Sequence, residues 1–475
     1  MTNLILATSN GTGLGHITRQ LAIALSLGDD HKATLFSLSK GLPLVEPMGI
    51  RAEYCPSYDN PWIGVGEWHA YLRDRLSVLI EETRADVVVF DGVAPYPGIG
   101  MAAALHRDVA FVWMRRGTWK EGVNAAQLKK SSYFDLIIEP ADLAGSTSGT
   151  MPHGRADFEQ VPPISLIGVV DTLARDEARH ALGLPLDKSI ALLTLGSGML
   201  GEVAGPGQAA TRIILEESEW ELAVTRSSVA KNLVPLGSSE RVHEISGVYP
   251  LVRYLSAFDL AISSAGYNAV HELIPAGLPT ILVANTSTRT DDQSSRAFGL
   301  AAAGRALAVE DHDLTGLHDE ISKALSEDSR LDLAAAAADT RQLVDGAHVA
   351  ARIVSDYGES FGTRSRRPSV YARLQYQNAK ELAKRLMGPR LTDRVKRAMG
   401  RVPSVSGQRT RVSINSVPSS PEETELFFTE SITPGILGSI PVEHVLPGSS
   451  EDYRAKRLAL IGDYYDVADG LGEGL

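Results

Sequence analysis

A histidine set at the mouth of a glycine turn is the first residue here whose type and setting suit chemistry. The stretch NGTGLGH (10–16) leaves an apolar run, LILAT (4–8), and enters ITRQLAIALSL, whose apolar spacing is helical. Gly11, Gly13 and Gly15 let the backbone turn sharply and approach a ligand closely. His16 stands at the helix start, where the helix field disfavours imidazolium and keeps the ring neutral, as a general base requires. A capping or packing histidine is the alternative reading. Asp91 ends the run VVVFD and suits two roles: orienting His16 or receiving its proton, or capping the next helix. Arg115 and Arg116 follow the run 109–113, where they meet an anionic acceptor or form a solvated pair.

A second group of residues suits a different task, holding an anionic ligand. SSAGYNAVHELIPAGLPTILV (263–283) reads as strand end, glycine turn, helix, a stop at Gly277, and a new strand. Ser264, Ala265 and Gly266 open that helix and offer backbone amides to a diphosphate. Glu272 is spaced to accept hydrogen bonds from both hydroxyls of a ribose, or is an ordinary exposed helix acid. LGSGMLG (195–201) provides another concavity at Gly196, Ser197 and Gly198. Asp291 and Gln293 suit sugar hydroxyls, although helix capping explains Asp291 equally well. A nicotinamide dinucleotide site is disfavoured, because the first loop is spaced G-x-G-x-G and the second strand ends in Ser37, Leu38 and Ser39 without an acid. No DxD pair, HExxH or Cys/His cluster stands at a strand end, so metal-free chemistry is expected.

These residues must be positioned by a scaffold, and the pattern of the chain supplies one. Short apolar runs at 4–8, 33–38, 86–91, 109–113 and 135–139 alternate with helical stretches. After Gly168 the alternation restarts with 189–195, 220–225, 259–264, 280–284 and 305–309. Runs this apolar suit parallel strands covered on both faces. The expected fold is α/β: two tandem doubly wound Rossmann-like domains, 1–168 and 169–358, facing a cleft, followed by a partly disordered extension, 359–475. Residues 143–158 read as a mobile loop. The single cysteine, Cys55, excludes an internal disulfide and a multi-cysteine zinc site. The N-terminus reads as a first strand instead of a signal peptide, and no run approaches about 20 uninterrupted apolar residues. A net charge of -12 argues against nucleic acid as a partner.

Taken together, over about residues 1–355, these motifs resemble the two-domain GT-B glycosyltransferases of family 28. The resemblance rests on the glycine loop ending in His16 and on the ordered set of serine-glycine turn, Glu272, Gly277-Leu278-Pro279 and Asp291-x-Gln293. It implies an inverting, metal-independent glycosyltransferase that moves a hexose or N-acetylhexosamine from a UDP-sugar donor to a hydroxyl acceptor, lipid-linked or of the cell envelope. On that basis His16 and Asp91 are catalytic, and Gly11, Gly13, Gly15 and Arg115 line the acceptor side. Glu272 binds the uridine ribose, and the backbone near Val248 holds the uracil edge. Gly196, Ser197, Gly198, Ser264, Ala265 and Gly266 face the diphosphate, while Asp291 and Gln293 read the sugar. Asp292, Ser294 and Ser263-Ser264-Ala265 depart from the family's peptidoglycan member, which implies a different acceptor. A nucleotide-sugar hydrolase of the same fold and a non-catalytic sugar-nucleotide-binding protein are the alternatives.

The extension has its own charge pattern. From Arg364 to Arg411 there are about fourteen Lys/Arg against Glu381 and Asp393, after which acids dominate. A basic helical segment, 364–411, suits an anionic membrane surface, implying a cytoplasmic protein peripheral on the inner membrane face. Folding against the acidic 412–475 or binding a partner are the alternatives.

Overall fold

The computed structural model describes residues 1–9, 14–57, 65–117, 125–145, 158–196, 204–226, 239–288 and 291–361, and the single positions 372, 376 and 379. The basic and acidic stretches of the extension, and most of 143–158, therefore lie outside the described residues.

The front unit is a seven-stranded sheet whose order is β3-β2-β1-β4-β5-β6-β7. Its strands are β1 (Asn3–Thr8), β2 (Lys32–Ser37), β3 (Arg51–Tyr54), β4 (Val87–Asp91), β5 (Ala110–Met114), β6 (Leu136–Pro140) and β7 (Glu159–Val161). The rear unit is a six-stranded sheet, order β10-β9-β8-β11-β12-β13. Its strands are β8 (Ile190–Thr194), β9 (Glu221–Arg226), β10 (Val242–Ser246), β11 (Leu260–Ser264), β12 (Thr280–Ala284) and β13 (Leu307–Glu310). Every pairing in both sheets is parallel. The expected class, two doubly wound α/β units, is what the chain forms.

The apolar runs explain this burial. Along β1, Leu4 and Leu6 enter one core while Ile5 and Ala7 enter another, and along β4 Val87 and Val89 part from Val88 and Phe90 in the same way. Each such side chain contributes roughly 1.5–3 kcal/mol when fully buried. A one-residue slip would turn every one of them to the wrong layer, so register is strongly specified. One of these cores is shared: it runs from Leu4 and Leu6 through Ile164 and Leu166 to Ile190 and Leu192, joining the facing sides of the two sheets.

The last described helix departs from the expected division. Gly346–Phe361 follows the rear sheet in sequence but packs against β4, β5 and β7 and the first helix, Gly15–Leu25. Tyr357 donates from its hydroxyl to the Asp135 carbonyl at 3.2 Å, and Phe361 is buried. A methyl at Gly358 would lie 2.9 Å from Thr2 and 3.1 Å from Val87, so only a residue without Cβ allows this close approach. Residues 346–358, assigned to the rear unit from sequence order, thus complete the front one. The physical reason is a front-sheet face that the preceding helices leave uncovered.

Candidate active site at the two crossover points

In each sheet the strand order reverses once, between β1 and β4 in front and between β8 and β11 behind. Loops leaving the carboxyl ends of those strands diverge and leave a crevice, where doubly wound folds bind ligands. His16 and Asp91 stand at the front crossover, Gly196 and Ser264 at the rear one.

Asp91 is the last residue of β4 and lies opposite Thr8 of β1. The following helix begins only at Pro97, so Asp91 does not cap it. Its carboxylate instead meets His16 Nδ1 at 2.8 Å through Oδ1, and accepts from Arg19 Nε at 2.9 Å through Oδ2. A terminal nitrogen of Arg19 donates to Oδ1 at 2.6 Å. Burial alone would raise the Asp91 carboxyl, but Arg19 and then His16 outweigh it and bring it down to about 2. Near neutral pH the carboxylate is therefore ionised and favours a proton on Nδ1 of His16, the atom that an Arg19 nitrogen also approaches at 2.9 Å. Burial holds the imidazole below its ordinary value, against the pull of Asp91 and with help from Arg19 and Arg116. A neutral ring protonated at Nδ1 carries its lone pair on Nε2, the edge away from Asp91. Side-chain exposure is 15% for His16 and 1% for Asp91, so the ring, not the carboxylate, reaches the crevice.

At the rear crossover Gly196 has φ +80, and a methyl there would lie 3.5 Å from Ser264 Oγ, so the loops after β8 and β11 adjoin. Gly266 caps the helix Tyr267–Leu273. The first N–H groups of any helix lack an intrahelical acceptor. Ala265 is not among the usable donors: its N–H donates to the Val283 carbonyl at 3.2 Å, its carbonyl accepts from Arg296 at 2.9 Å, and its side chain is fully buried. This corrects the expectation that it faces a diphosphate. The carboxyl of Glu272, one turn beyond Asn268, makes no hydrogen bond among the described residues, and desolvation pushes it up to about 8. Val248 lies in the loop after β10, beside Tyr249, whose hydroxyl bonds Thr18 Oγ1 at 3.0 Å.

The two crossovers are fastened to each other. Asn268 donates to the Gly15 carbonyl at 3.1 Å, one residue before His16. The Tyr267 hydroxyl donates to the Ala141 carbonyl at 3.0 Å and accepts from the Ile164 N–H at 3.1 Å, while Arg19 lies over its ring, 5.2 Å from the centroid. His271 accepts from the Leu143 N–H at 3.0 Å and is lowered to about 4, chiefly by burial, so it is a neutral joint.

Two further expectations change. Asp291 and Gln293 are placed together, but their polar atoms serve the protein. The Asp291 carboxylate pairs with Arg296 at 3.0 Å and with Arg116 at 3.1 Å, and Arg296 also binds Asp142 of the front unit at 2.6 Å. Gln293 accepts from the Asn285 N–H at 3.1 Å, and Asp292, not Asp291, caps the helix Gln293–Ala302. The expectation of two sugar-reading groups becomes a charged joint, because the buried guanidinium of Arg296 and the half-buried one of Arg116 demand carboxylates. Arg115 likewise leaves the acceptor side: it is 1% exposed, paired with buried Glu139 and donating to Ser131 Oγ at 2.7 Å. Gly11, Gly13, Ser197 and Gly198 lie outside the described residues, while Gly15 begins the first helix.

Sequence reasoning passed over Arg19, Arg296, Asn268 and Tyr267, and read Arg116 as one of a solvated pair. Arg19 carried a signal, being a charged residue three positions after His16 in a mostly apolar helix. The others each take a partner more than a hundred residues away.

The comparisons with known proteins fall on this architecture. Residues 224–350 match the glycosyltransferase family 28 C-terminal domain. A protein of Clavibacter sepedonicus named UDP-N-acetylglucosamine–N-acetylmuramyl-(pentapeptide) pyrophosphoryl-undecaprenol N-acetylglucosamine transferase is 28% identical over 68% of this chain and 82% of its own length. A protein of the same name from an Exiguobacterium strain is 38% identical, but over 19% of this chain and 26% of its own. Among solved structures, the spinosyn forosaminyltransferase aligns with TM-score 0.52 at 17% identity, covering 77% of this chain and 100% of that one. The UDP-GlcNAc 2-epimerase of Neisseria meningitidis aligns with TM-score 0.54 at 13% identity, over 75% and 99%. At such identities these structures speak for the fold alone. The family match on the rear unit and a relative aligned across both units support a family 28 glycosyltransferase, and the two-sheet architecture is the fold these comparisons share.

Proposed function

We propose that this chain transfers a sugar from a UDP-sugar to the hydroxyl of an acceptor by direct, inverting displacement without a metal. The observation that carries this reading is the His16–Asp91 pair at one crossover, tied through Gly15 and Asn268 to the helix that bears Glu272 at the other. Neutral His16 takes the proton from the acceptor hydroxyl at Nε2 as the oxygen attacks the anomeric carbon, and Asp91 stabilises the imidazolium that forms. Glu272 accepts from the ribose hydroxyls, and the leaving diphosphate is met by N–H groups at the Gly266 turn with Gly196 and Ser264 beside it. Among the acids described here only Glu272 lacks an arginine or histidine partner at the crevice, and one isolated carboxyl is a poor seat for a divalent ion.

The relatives are named for moving N-acetylglucosamine to a lipid-linked acceptor, so UDP-N-acetylglucosamine is the first donor to test. The assay is UDP release with and without a panel of hydroxyl acceptors, in the presence of EDTA, with the anomeric configuration of the product read by NMR. Acceptor-dependent release and an inverted product support the proposal. Equal release without acceptor selects the hydrolase reading, and silence with every UDP-sugar rejects both. No described helix is long and apolar enough to cross a membrane. We propose peripheral attachment through the basic 364–411 stretch, checked by comparing pelleting of the full chain and a 1–361 truncation with anionic vesicles. Equal pelleting rejects it.

A further inference from the structure

The Asp91 carboxylate is shared between two partners. Arg19 grips it with both prongs, and the Oδ1 that takes the 2.6 Å prong is the oxygen that meets His16 Nδ1. A two-pronged guanidinium fixes both the place and the rotation of a carboxylate, which is what holds the imidazole in one tautomer. It also has an electrostatic consequence of opposite sign. A carboxylate at hydrogen-bond distance ordinarily favours the protonated imidazole, and a cation beside the same carboxylate cancels that pull. The Arg19 nitrogen lies 2.9 Å from His16 Nδ1, so its charge acts on the ring almost as closely as that of Asp91.

The ionisable groups facing His16 are Asp91 at the end of β4, Arg19 one turn along its own helix, and Arg116 after β5. From the rear unit Tyr267 covers Arg19, whose side chain keeps 8% exposure, so water screens this charge little. Two cations and one anion thus surround one imidazole. Arg19 is the one that touches both members of the pair.

We propose that Arg19 is a positioning residue that sets the basicity of His16: it holds Asp91 as an orienting acceptor while withholding the carboxylate's charge from the imidazole. The base then stays unprotonated on the acid side of neutrality, and its orientation does not depend on becoming charged. The inference rests on His16 acting as the base in the transfer proposed above, but its first readout does not require that reaction.

The test is an NMR titration of the full chain labelled in histidine, with the His16 resonance assigned by its loss in His16→Gln. In Arg19→Gln and Arg19→Met the His16 midpoint rises by about 1–3 pH units, and the acid limb of any measured transfer rate rises with it. In Arg19→Lys, which keeps the charge and loses the fork, the midpoint stays within about half a pH unit of wild type while kcat falls several-fold at unchanged donor KM. If one neutral variant fails to fold, the other carries the comparison. A lysine variant whose midpoint climbs as far as the glutamine variant's overturns the role of the charge, as does an unmoved midpoint in either neutral variant. An unmoved midpoint in an active transferase rejects this inference alone. A raised midpoint in a chain that transfers nothing supports it and rejects the reaction.

Discussion

The front crossover is internally complete, whereas the rear one is not. At the front, His16, Asp91 and Arg19 satisfy one another, and the carboxyl lies down at about 2 because a guanidinium and an imidazole face it. At the rear, Glu272 is half-buried with no cationic partner among the described residues, and desolvation pushes its carboxyl up to about 8. The more deeply buried acid is thus the one held ionised, because it has cations beside it and the other has none. The contrast teaches a division of labour. A group that must be aligned before the reaction is preorganised by its neighbours, while a group that recognises a ligand is left unsatisfied until the ligand supplies the hydrogen bonds.

The contrast can be broken first at its reactive end. His16→Ala should lower kcat about 10²–10⁴-fold while leaving UDP affinity within about twofold, read by steady-state kinetics and calorimetry. A loss of UDP affinity as large as the loss of rate would mean the two crossovers are not separate in role.

A smaller effect is expected at the rear. Glu272→Ala should weaken UDP binding about 10–100-fold, the value of two hydrogen bonds to the ribose hydroxyls, with kcat at saturating donor less affected. Calorimetry with UDP and with a dideoxyribose analogue checks this, since the analogue should bind wild type and variant alike.

The unsatisfied carboxyl should also cost stability in a pH-dependent way. Because its folded value lies above its unfolded one, the native state binds the extra proton, and stability from this group falls as pH rises from about 5 through about 8. Glu272→Gln, permanently neutral, should therefore match wild type in Tm near pH 5 and exceed it by about 2–4 °C at pH 8.5, corresponding to roughly 1 kcal/mol. A Tm difference independent of pH would refute a buried, partnerless carboxyl. The smallest effect is at the fastening between the crossovers. Tyr249→Phe removes one hydrogen bond to Thr18 and should cost about 0.5–1.5 kcal/mol, read as a modest drop in urea midpoint.

How far the sequence reveals all this follows from where each signal resides. The nine inner strands are legible because central parallel strands are buried on both faces and read as apolar runs, and the edge strand β13 is legible because Leu307 and Val309 of its apolar run are buried. RAEY of β3, EQV of β7 and VHEIS of β10 escape the same reading because each stands at a sheet edge, where one side faces water and polar residues are tolerated. His16, Asp91 and Glu272 are legible because their place at strand ends or helix starts restricts what they can do. The charged joint of Asp142, Arg296, Asp291 and Arg116 is not, since Asp142 and Arg116 come from the front unit and Asp291 and Arg296 from the rear, and the pairs between them form only after the sheets have met. Arg115 shows the converse, a charge that looks solvent-bound in sequence and is claimed by Glu139 one strand away.

The helix Gly346–Phe361 gives the chain an architecture that tandem order conceals. The polypeptide leaves the front unit after β7 and returns to it here, so the rear unit is topologically an insert held by two crossings, near 161–170 and 344–346. An excised fragment ending at residue 168 would expose the apolar groove this helix fills and should aggregate, whereas the same fragment grafted directly to 345–361 has the material for an autonomous fold. The two units are thus joined by a double strap instead of a single linker.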